Sequence, residues 1–330
     1  MNVIIREEDA ACRKLKDLLS DVVEKNEAEA LLLSGGLDTS ILAALSYHES
    51  ESKKAFTVVM AGARAPDLSY ATIVAQKFRY EHVLIRLKEK EALEALPAVI
   101  HVVKSFDPAL PNDLVIYTAL KEAKNLGIKS VMTGDGADEL FAGYSYMHEL
   151  SHEDLNAYIR ALSQTMWFSS NKLGAFLGVE IKQPYRDKKI VDFALELDPD
   201  LKIRKKDGRK YGKWILRTAF EAELGAVAWR EKEPIELGSG TTTLRDVIRG
   251  KISDAEFEAK KRAYGMEFMN KEHLFFYEIY KEVVGEIPRP EGNEKEKVCP
   301  LCRAGLPRNK FHCNICGFSY PLGKYLGDKH

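Results

Sequence analysis

Seven consecutive residues, Ser34-Gly35-Gly36-Leu37-Asp38-Thr39-Ser40, put two glycines, three hydroxyls and one carboxylate into a single turn. The glycines let backbone N–H groups come close to an anion, and a helix opening behind them adds a favourable field. Ser34, Thr39 and Ser40 can donate hydroxyl hydrogen bonds, and Asp38 can carry a magnesium ion. Such a set suits a polyphosphate. It is not a Walker A loop: the nearest approach to one, running from Gly208 to Lys213, has the wrong spacing and no following Ser or Thr. A second Gly/Asp-rich run, GDGADELFAGY at 134–144, supplies Gly134, Asp135, Asp138 and Glu139. A third constellation is Cys299 and Cys302, then Cys313 and Cys316. Two CxxC pairs offer four thiolates to one tetrahedral ion and close the site, the pattern of a structural zinc. So small a module depends on its metal to fold. Gly305 and Gly317 follow the two pairs at or near the expected turns.

These residues need elements to aim them. Residues 8–26 have the periodicity of an amphipathic helix, and the apolar run Ala30-Leu31-Leu32-Leu33 is a buried strand leading into the first turn. Helix is expected at 38–48, strand at 55–61, helix at 67–79 and strand at 82–87. Helices at 90–103 and 112–126 and a strand at 129–133 come next, the last opening into the second run. Such alternation predicts an α/β fold, a Rossmann-like parallel sheet with helices on both faces. Ligands of such sheets sit beyond the carboxyl ends of the strands, where both Gly/Asp runs fall. Residues 152 to about 283 read mainly as helix, interrupted by IKQPYRD at 181–187 and by the basic stretch KIRKKDGRKYGK at 202–213. PRPEGNEKEK at 288–297 reads as a linker. The expected organisation is an α/β core over 1–150, a helical part over 151–287, a linker over 288–298 and a zinc ribbon over 299–330.

Composition narrows the class. With 45% hydrophobic and 30% charged residues over 330 positions, the chain can bury a real core in about two domains. The first twenty residues mix acids and bases without a long apolar run, so no signal peptide is expected. No stretch of about 18 apolar residues marks a membrane span. Four of five cysteines lie near the C-terminus, which argues against a disulfide framework and for a reducing, cytoplasmic setting. Cys12 falls within a helix pattern and is read as a small buried hydrophobe. Scarce Gln beside abundant Lys and Glu hints at a thermophilic source.

The first turn resembles the PP-loop of ATP-pyrophosphatases, which cut ATP between its α and β phosphates. GDGADELFAGY is similar to the second signature of asparagine synthetases, SGEGADELFGGY. SSNKLGAFLGVEIKQPYRD at 169–187 resembles their NK…GVEARVPFLD stretch, and KWILRTAF at 213–220 and AVAWREKEPIELGSG at 226–240 resemble the later stretches of that domain. The resemblance covers roughly residues 30–245. It implies an amidoligase that adenylates a carboxylate, giving AMP and pyrophosphate, for attack by an amine. By the same resemblance Asp38 and Asp138 carry Mg2+, while Ser34, Gly35, Gly36, Asp38, Thr39, Ser40 and Gly134 hold ATP and pyrophosphate. Lys232 stabilises charge at the reacting centre, and Asp135 stands where the family has a glutamate, as base or amine-positioning group.

Three departures qualify that transfer. Glutamine-dependent members carry an N-terminal amidase with a cysteine after the initiator methionine. Here Asn2 takes that place and about thirty residues precede the turn, so nitrogen is expected from ammonia, an amine or a separate glutaminase partner. The stretch that in the family contains an arginine implicated in aspartate binding reads Ser105 to Leu114 without one, and Lys182 and Arg186 stand in the ARVPFLD segment. Free aspartate is therefore not the expected acceptor. Asp135 is shorter than Glu by one carbon–carbon bond, roughly 1.5 Å. Two readings besides the amidoligase stay open: a tRNA-modifying PP-loop enzyme that docks RNA through the ribbon and the basic stretch, and a nucleotide-binding regulator without catalysis.

Overall fold

In the computed structural model, residues 4–47, 53–231, 233–290, 296–308 and 310–320 are described. Helix α1 (Glu8–Lys25) precedes β1 (Ala30–Leu32), α2 (Leu37–Leu45), β2 (Lys54–Met60), α3 (Asp67–Lys77), β3 (Glu81–Leu87), α4 (Glu89–Val103), α5 (Leu110–Asn125), β4 (Ser130–Met132) and α6 (Ala137–Leu140). Then come α7 (His152–Thr165), α8 (Ser169–Leu177), β5 (Glu180–Lys182), α9 (Lys188–Glu196), the hairpin β6 (Arg204–Lys206) and β7 (Arg209–Tyr211), and α10 (Trp214–Leu224). The C-terminal part holds α11 (Ile235–Gly238), α12 (Thr243–Lys251), α13 (Asp254–Tyr264), α14 (Lys271–Val283), β8 (Glu296–Val298) and β9 (Gly305–Pro307).

The fold is the expected α/β one. Five strands form a sheet in the order β3-β2-β1-β4-β5. The pairs β1–β2, β1–β4 and β4–β5 are parallel, with Ala30 beside both Lys54 and Val131. Ala55 to Met60 are all buried, as a strand covered on both faces requires. Strand β5 lies where the sequence pattern predicts only a turn, at 181–187. Three residues carry too little alternation to betray a strand, and its pairing partner lies some fifty residues upstream.

The chain folds into two compact units that are each discontinuous in sequence: residues 1–57, 66–85 and 119–234, and residues 58–65, 86–118 and 235–330. In the first, α1 buries Ala11, Leu15, Leu19, Val22 and Val23 along one face and packs on α9 and α10. Cys12, one position off that face, is only half-buried. In the second, α4 packs against α14, and α14 against α12 around Ile252, Phe268 and Leu274. No helix among the described residues is long and apolar enough to cross a membrane.

Candidate active site and metal centre

The chain runs outward from β1 through β2 to β3, then returns to place β4 on the other side of β1. The turns after β1 and β4 therefore leave neighbouring strands at the switch point of the sheet, the place where sheets of this kind bind ligands. Both belong to the first unit.

The first turn is shaped by close approach. Gly35 has φ +74°, and a Cβ there would lie 2.4 Å from the backbone nitrogen of Ala71 and 2.9 Å from the carbonyl of Asp67, so only glycine fits. Ser34 Oγ accepts the Gly36 N–H at 3.1 Å and shares a hydrogen bond with Thr39 Oγ1 at 3.2 Å. Ser40 differs: it is fully buried, and Oγ has no hydrogen-bond partner among the described residues. Behind the turn, Arg230 donates to the Gly35 carbonyl at 2.7 Å and forms a buried ion pair with Asp67. Its guanidinium also lies 4.3 Å from the centre of the Tyr70 ring. Burial pushes the Asp67 carboxyl up even with Arg230 beside it.

The second turn brings its acid to the first. Lys213 Nζ stands 2.6 Å from Asp38 Oδ2 and 2.7 Å from Asp138 Oδ1, with the lysine side chain 5% exposed. Burial alone would lower this ammonium; the charges of Asp138 and Asp38 outweigh it and raise its pKa above the ordinary lysine value. Lys213 reaches this place from a left-handed backbone, φ +57°, with its N–H on the Phe141 carbonyl at 2.8 Å. Arg217, one helical turn on, donates to the carbonyls of Gly212 (2.9 Å), Ala228 (2.7 Å) and Arg230 (3.0 Å), tying the lysine's turn to the segment that holds Gly35. Tyr185, fully buried, donates to the Asp38 carbonyl at 3.1 Å. Burial, then the charges of Asp38 and Asp138, hold its phenol well above the usual tyrosine range, so it stays a neutral donor. Next to Asp138, Glu139 accepts from Tyr144 Oη at 2.6 Å, and burial together with the Asp138 charge lifts its pKa to about 7.

Asp135 is held by three donors on one oxygen. Thr133 Oγ1 (2.7 Å), Ser170 Oγ (2.6 Å) and Gln183 Nε2 (2.7 Å) all reach Oδ2. Gln183 is fixed in turn, because its Oε1 accepts from Arg186 at 2.7 Å and from Asn171 at 3.1 Å. The family pattern ARVPFLD has an apolar residue at the position of Gln183, so a donor has been gained together with the shorter acid.

The structure thus brings Ser34, Gly35, Gly36, Asp38 and Thr39 into one turn and sets Asp38 with Asp138 on one ammonium. Lys232 lies outside the described residues. Sequence reasoning gave no role to Lys213, Arg217, Arg230, Ser170 or Gln183, although each lies in or next to a stretch it quoted. A carboxylate pair already gathered around one cation is an oxygen donor set that suits Mg2+.

The cysteines form a separate centre in the second unit. Their four sulfurs lie within 4.8 Å of one another and are buried, with Cys299–Cys316 at 3.6 Å and Cys302–Cys313 at 3.7 Å. Four thiolates about 2.3 Å from a tetrahedral ion stand about 3.8 Å apart, so the set fits zinc. The left-handed residue after the first pair is Arg303, φ +61°, while Gly305 lies in β9. After the second pair it is Gly317, φ +78°. The knuckle geometry places that turn directly behind each second cysteine, and an Arg there gives no glycine signal in the sequence.

The asparagine synthase family model matches residues 14–170 and 146–302, which takes in both turns and the acid pair. The chain belongs to the asparagine synthase family. Asparagine synthetase B [glutamine-hydrolyzing] of Escherichia coli (strain K12) is 31% identical over 305 residues, 85% of this chain and 54% of that protein. Asparagine synthetase [glutamine-hydrolyzing] 2 of Lotus japonicus is 29% identical over 292 residues, 81% of this chain and 49% of that one. The chain therefore spans about half the length of the curated relatives it matches. Among solved structures, NMN synthetase from Francisella tularensis aligns over 70% of this chain and 99% of that one, with a TM-score of 0.30 and 17% identity, too slight a likeness to argue from. Within the family frame, the stretches KWILRTAF and AVAWREKEP acquire concrete tasks: the first supplies Lys213 and Arg217, the second Arg230.

Proposed function

We propose that this asparagine synthase family member uses ATP to adenylate a carboxylate and passes the acyl group to ammonia or an amine. The observation that carries the reading is the single ammonium of Lys213 holding Asp38 and Asp138 together beside the Ser34–Ser40 turn, at the switch point of the sheet.

A substrate carboxylate oxygen attacks the α-phosphorus, the bond to the bridging oxygen of the β-phosphate breaks, and pyrophosphate leaves. Backbone N–H groups at 34–36 and 134 and the hydroxyls of Ser34 and Thr39, with Ser40 behind them, serve the phosphates. Lys213 supplies positive charge where the leaving group gains negative charge, and Lys232 joins it by family resemblance. Asp38 and Asp138 would hold Mg2+, which when bound would supply further neutralisation of the phosphate charge. In the second step the amine nitrogen attacks the acyl carbon, the bond from that carbon to the phosphate oxygen breaks so that AMP departs, and the amine's proton passes to the Asp135 carboxylate. Asp135 faces that step. Its Oδ2 is occupied by three donors, so Oδ1, which no described side chain reaches, is the oxygen that orients the amine.

Much of the basic stretch that the RNA-docking alternative invokes is engaged within the chain. Of the seven cations in 202–213, Lys202 is buried and Lys213 is in the site. Arg204, Lys206, Arg209 and Lys210 pair with Glu8, Glu221, Glu231 and Glu149. Six of the seven are thus engaged within the chain and offer less charge to phosphate.

The direct test measures AMP and pyrophosphate formed from ATP with ammonium and a panel of carboxylic acids, for the wild type and for Asp38→Asn and Asp138→Asn. The reading expects acid-dependent pyrophosphate release that falls at least about a hundredfold in either variant. Release driven by tRNA and indifferent to every acid, or ATP binding and turnover unaffected by both substitutions, overturns it.

A further inference from the structure

Several contacts of the cysteine module fall on one short stretch of its own unit, Ser105-Phe106-Asp107. The carbonyl of Ile315, inside the second CxxC pair, accepts the Phe106 N–H at 2.7 Å and Ser105 Oγ at 3.2 Å. His312, directly before Cys313, holds Asp107 Oδ2 at 3.0 Å through Nε2 and Ser319 Oγ at 2.9 Å through Nδ1. The other oxygen of Asp107 accepts the Ala109 N–H at 2.8 Å, and its carbonyl accepts the Leu110 N–H at 3.0 Å, so the same residue fixes the start of α5. Phe106 is fully buried, with its ring stacked 5.1 Å from His273 and edge-on to Tyr277 and Tyr280 of α14. A Cβ on Gly317 would lie 2.5 Å from Asp107 Oδ1, so this glycine both turns the knuckle and leaves room for the carboxylate.

We infer that the metal-loaded ribbon is the clamp that orders residues 105–109 and the start of α5, and that Asp107 is the positioning residue joining the two. Among the described residues of the ribbon, the buried ones are its four cysteines with Ala304 and Leu306, far too little apolar surface to hold a fold. The carbonyl of Ile315 and the ring of His312 keep fixed positions only while the thiolates are drawn onto an ion. When the ion leaves, Ser105 and the Phe106 N–H lose their partner in a place that water reaches poorly, and the segment opens. A metal centre is in this way coupled to a stretch remote from it in sequence, 205 residues in the case of His312 and Asp107. By the sequence resemblance, this stretch stands where the family has the one implicated in acceptor binding. The consequence that zinc occupancy governs acceptor affinity rests on the reading under Proposed function, whereas the clamp does not.

The test is hydrogen–deuterium exchange on the full chain, with no nucleotide or substrate, comparing the zinc-loaded protein with protein stripped by a thiol reagent and chelator. Amides of 104–112 should exchange on the order of tenfold faster after stripping, as loss of one or two buried hydrogen bonds implies. Peptides covering 30–40 and 130–140 should keep their protection. Unchanged exchange in 104–112 after zinc loss overturns the clamp. If stripping unfolds the whole chain, His312→Ala decides, since it keeps all four cysteines. With one zinc per chain retained, it should still speed exchange in 104–112, and unaltered protection there refutes the proposal. ATP binding by calorimetry on the same samples is a separate readout, so a failed clamp and a failed adenylation reading are told apart.

Discussion

Replacing Lys213 by methionine keeps the side-chain length and removes the charge that joins the two acids. Asp38 and Asp138 contact the same nitrogen at 2.6 and 2.7 Å, so their oxygens are at most about 5.3 Å apart by the triangle rule. Two like charges at that separation repel by about 3 kcal/mol at an effective dielectric constant of about 20. Breaking a buried ion pair from one side has a similar measured cost, about 3–5 kcal/mol. Urea unfolding of Lys213→Met near neutral pH, without metal, should therefore show a loss of about 3 kcal/mol. Two further effects separate this cause from simple misfit. Unscreened repulsion raises the carboxyl pKa values in the folded state, so the deficit should shrink as pH falls through them, where one carboxyl takes up a proton. Mg2+ should stabilise the variant more than the wild type, because it meets a carboxylate pair with no resident ammonium. A variant within about 0.5 kcal/mol of wild type, or a deficit indifferent to both pH and Mg2+, would refute the electrostatic argument.

Arg230→Ala should lower the unfolding free energy by about 3–5 kcal/mol, since it strands the buried Asp67 carboxylate and frees the Gly35 carbonyl; a loss under about 1 kcal/mol in the same assay counts against the anchor. Ser170→Ala and Gln183→Val each remove one of three donors on Asp135 Oδ2, about 1.5–3 kcal/mol apiece, and a double-mutant cycle should be non-additive because they share that oxygen. Lys202 is fully buried, with Nζ on the Leu197 carbonyl at 2.6 Å, and burial lowers its pKa to about 8. Its charged form is disfavoured in the folded state, so the penalty is full below about pH 8 and lifts as pH rises towards the ordinary lysine range. Lys202→Met should flatten that rise, worth on the order of 3 kcal/mol, in pH-dependent urea midpoints; an unchanged slope excludes the assignment.

The parts of this protein legible in its sequence are those specified within a short window. The run Ala30–Leu33, the Gly-Gly turn and the alternation after it marked out β1 to β4 and the helices between them to within about three residues, because apolar periodicity and turn chemistry are local. The paired CxxC spacing revealed the metal centre for the same reason: two thiolates on one knuckle need no distant help to meet.

Tertiary structure decided what depends on segments meeting from far apart. The acid pair was visible in the sequence, but that Lys213 joins it was not, since lysine and acid are 175 residues apart and meet through a left-handed turn that no residue type announces. The hairpin at 204–211 shows only as a charge run; its pairing with Glu8, Glu149, Glu221 and Glu231 exists once α1 and α10 have packed. The grip of the ribbon on Ser105, Phe106 and Asp107 likewise arises from the fold. Local spacing sets which chemistry a chain can carry; which partner each group meets is settled by many weak packing contacts summed over the folded chain, and no short window of sequence contains that sum.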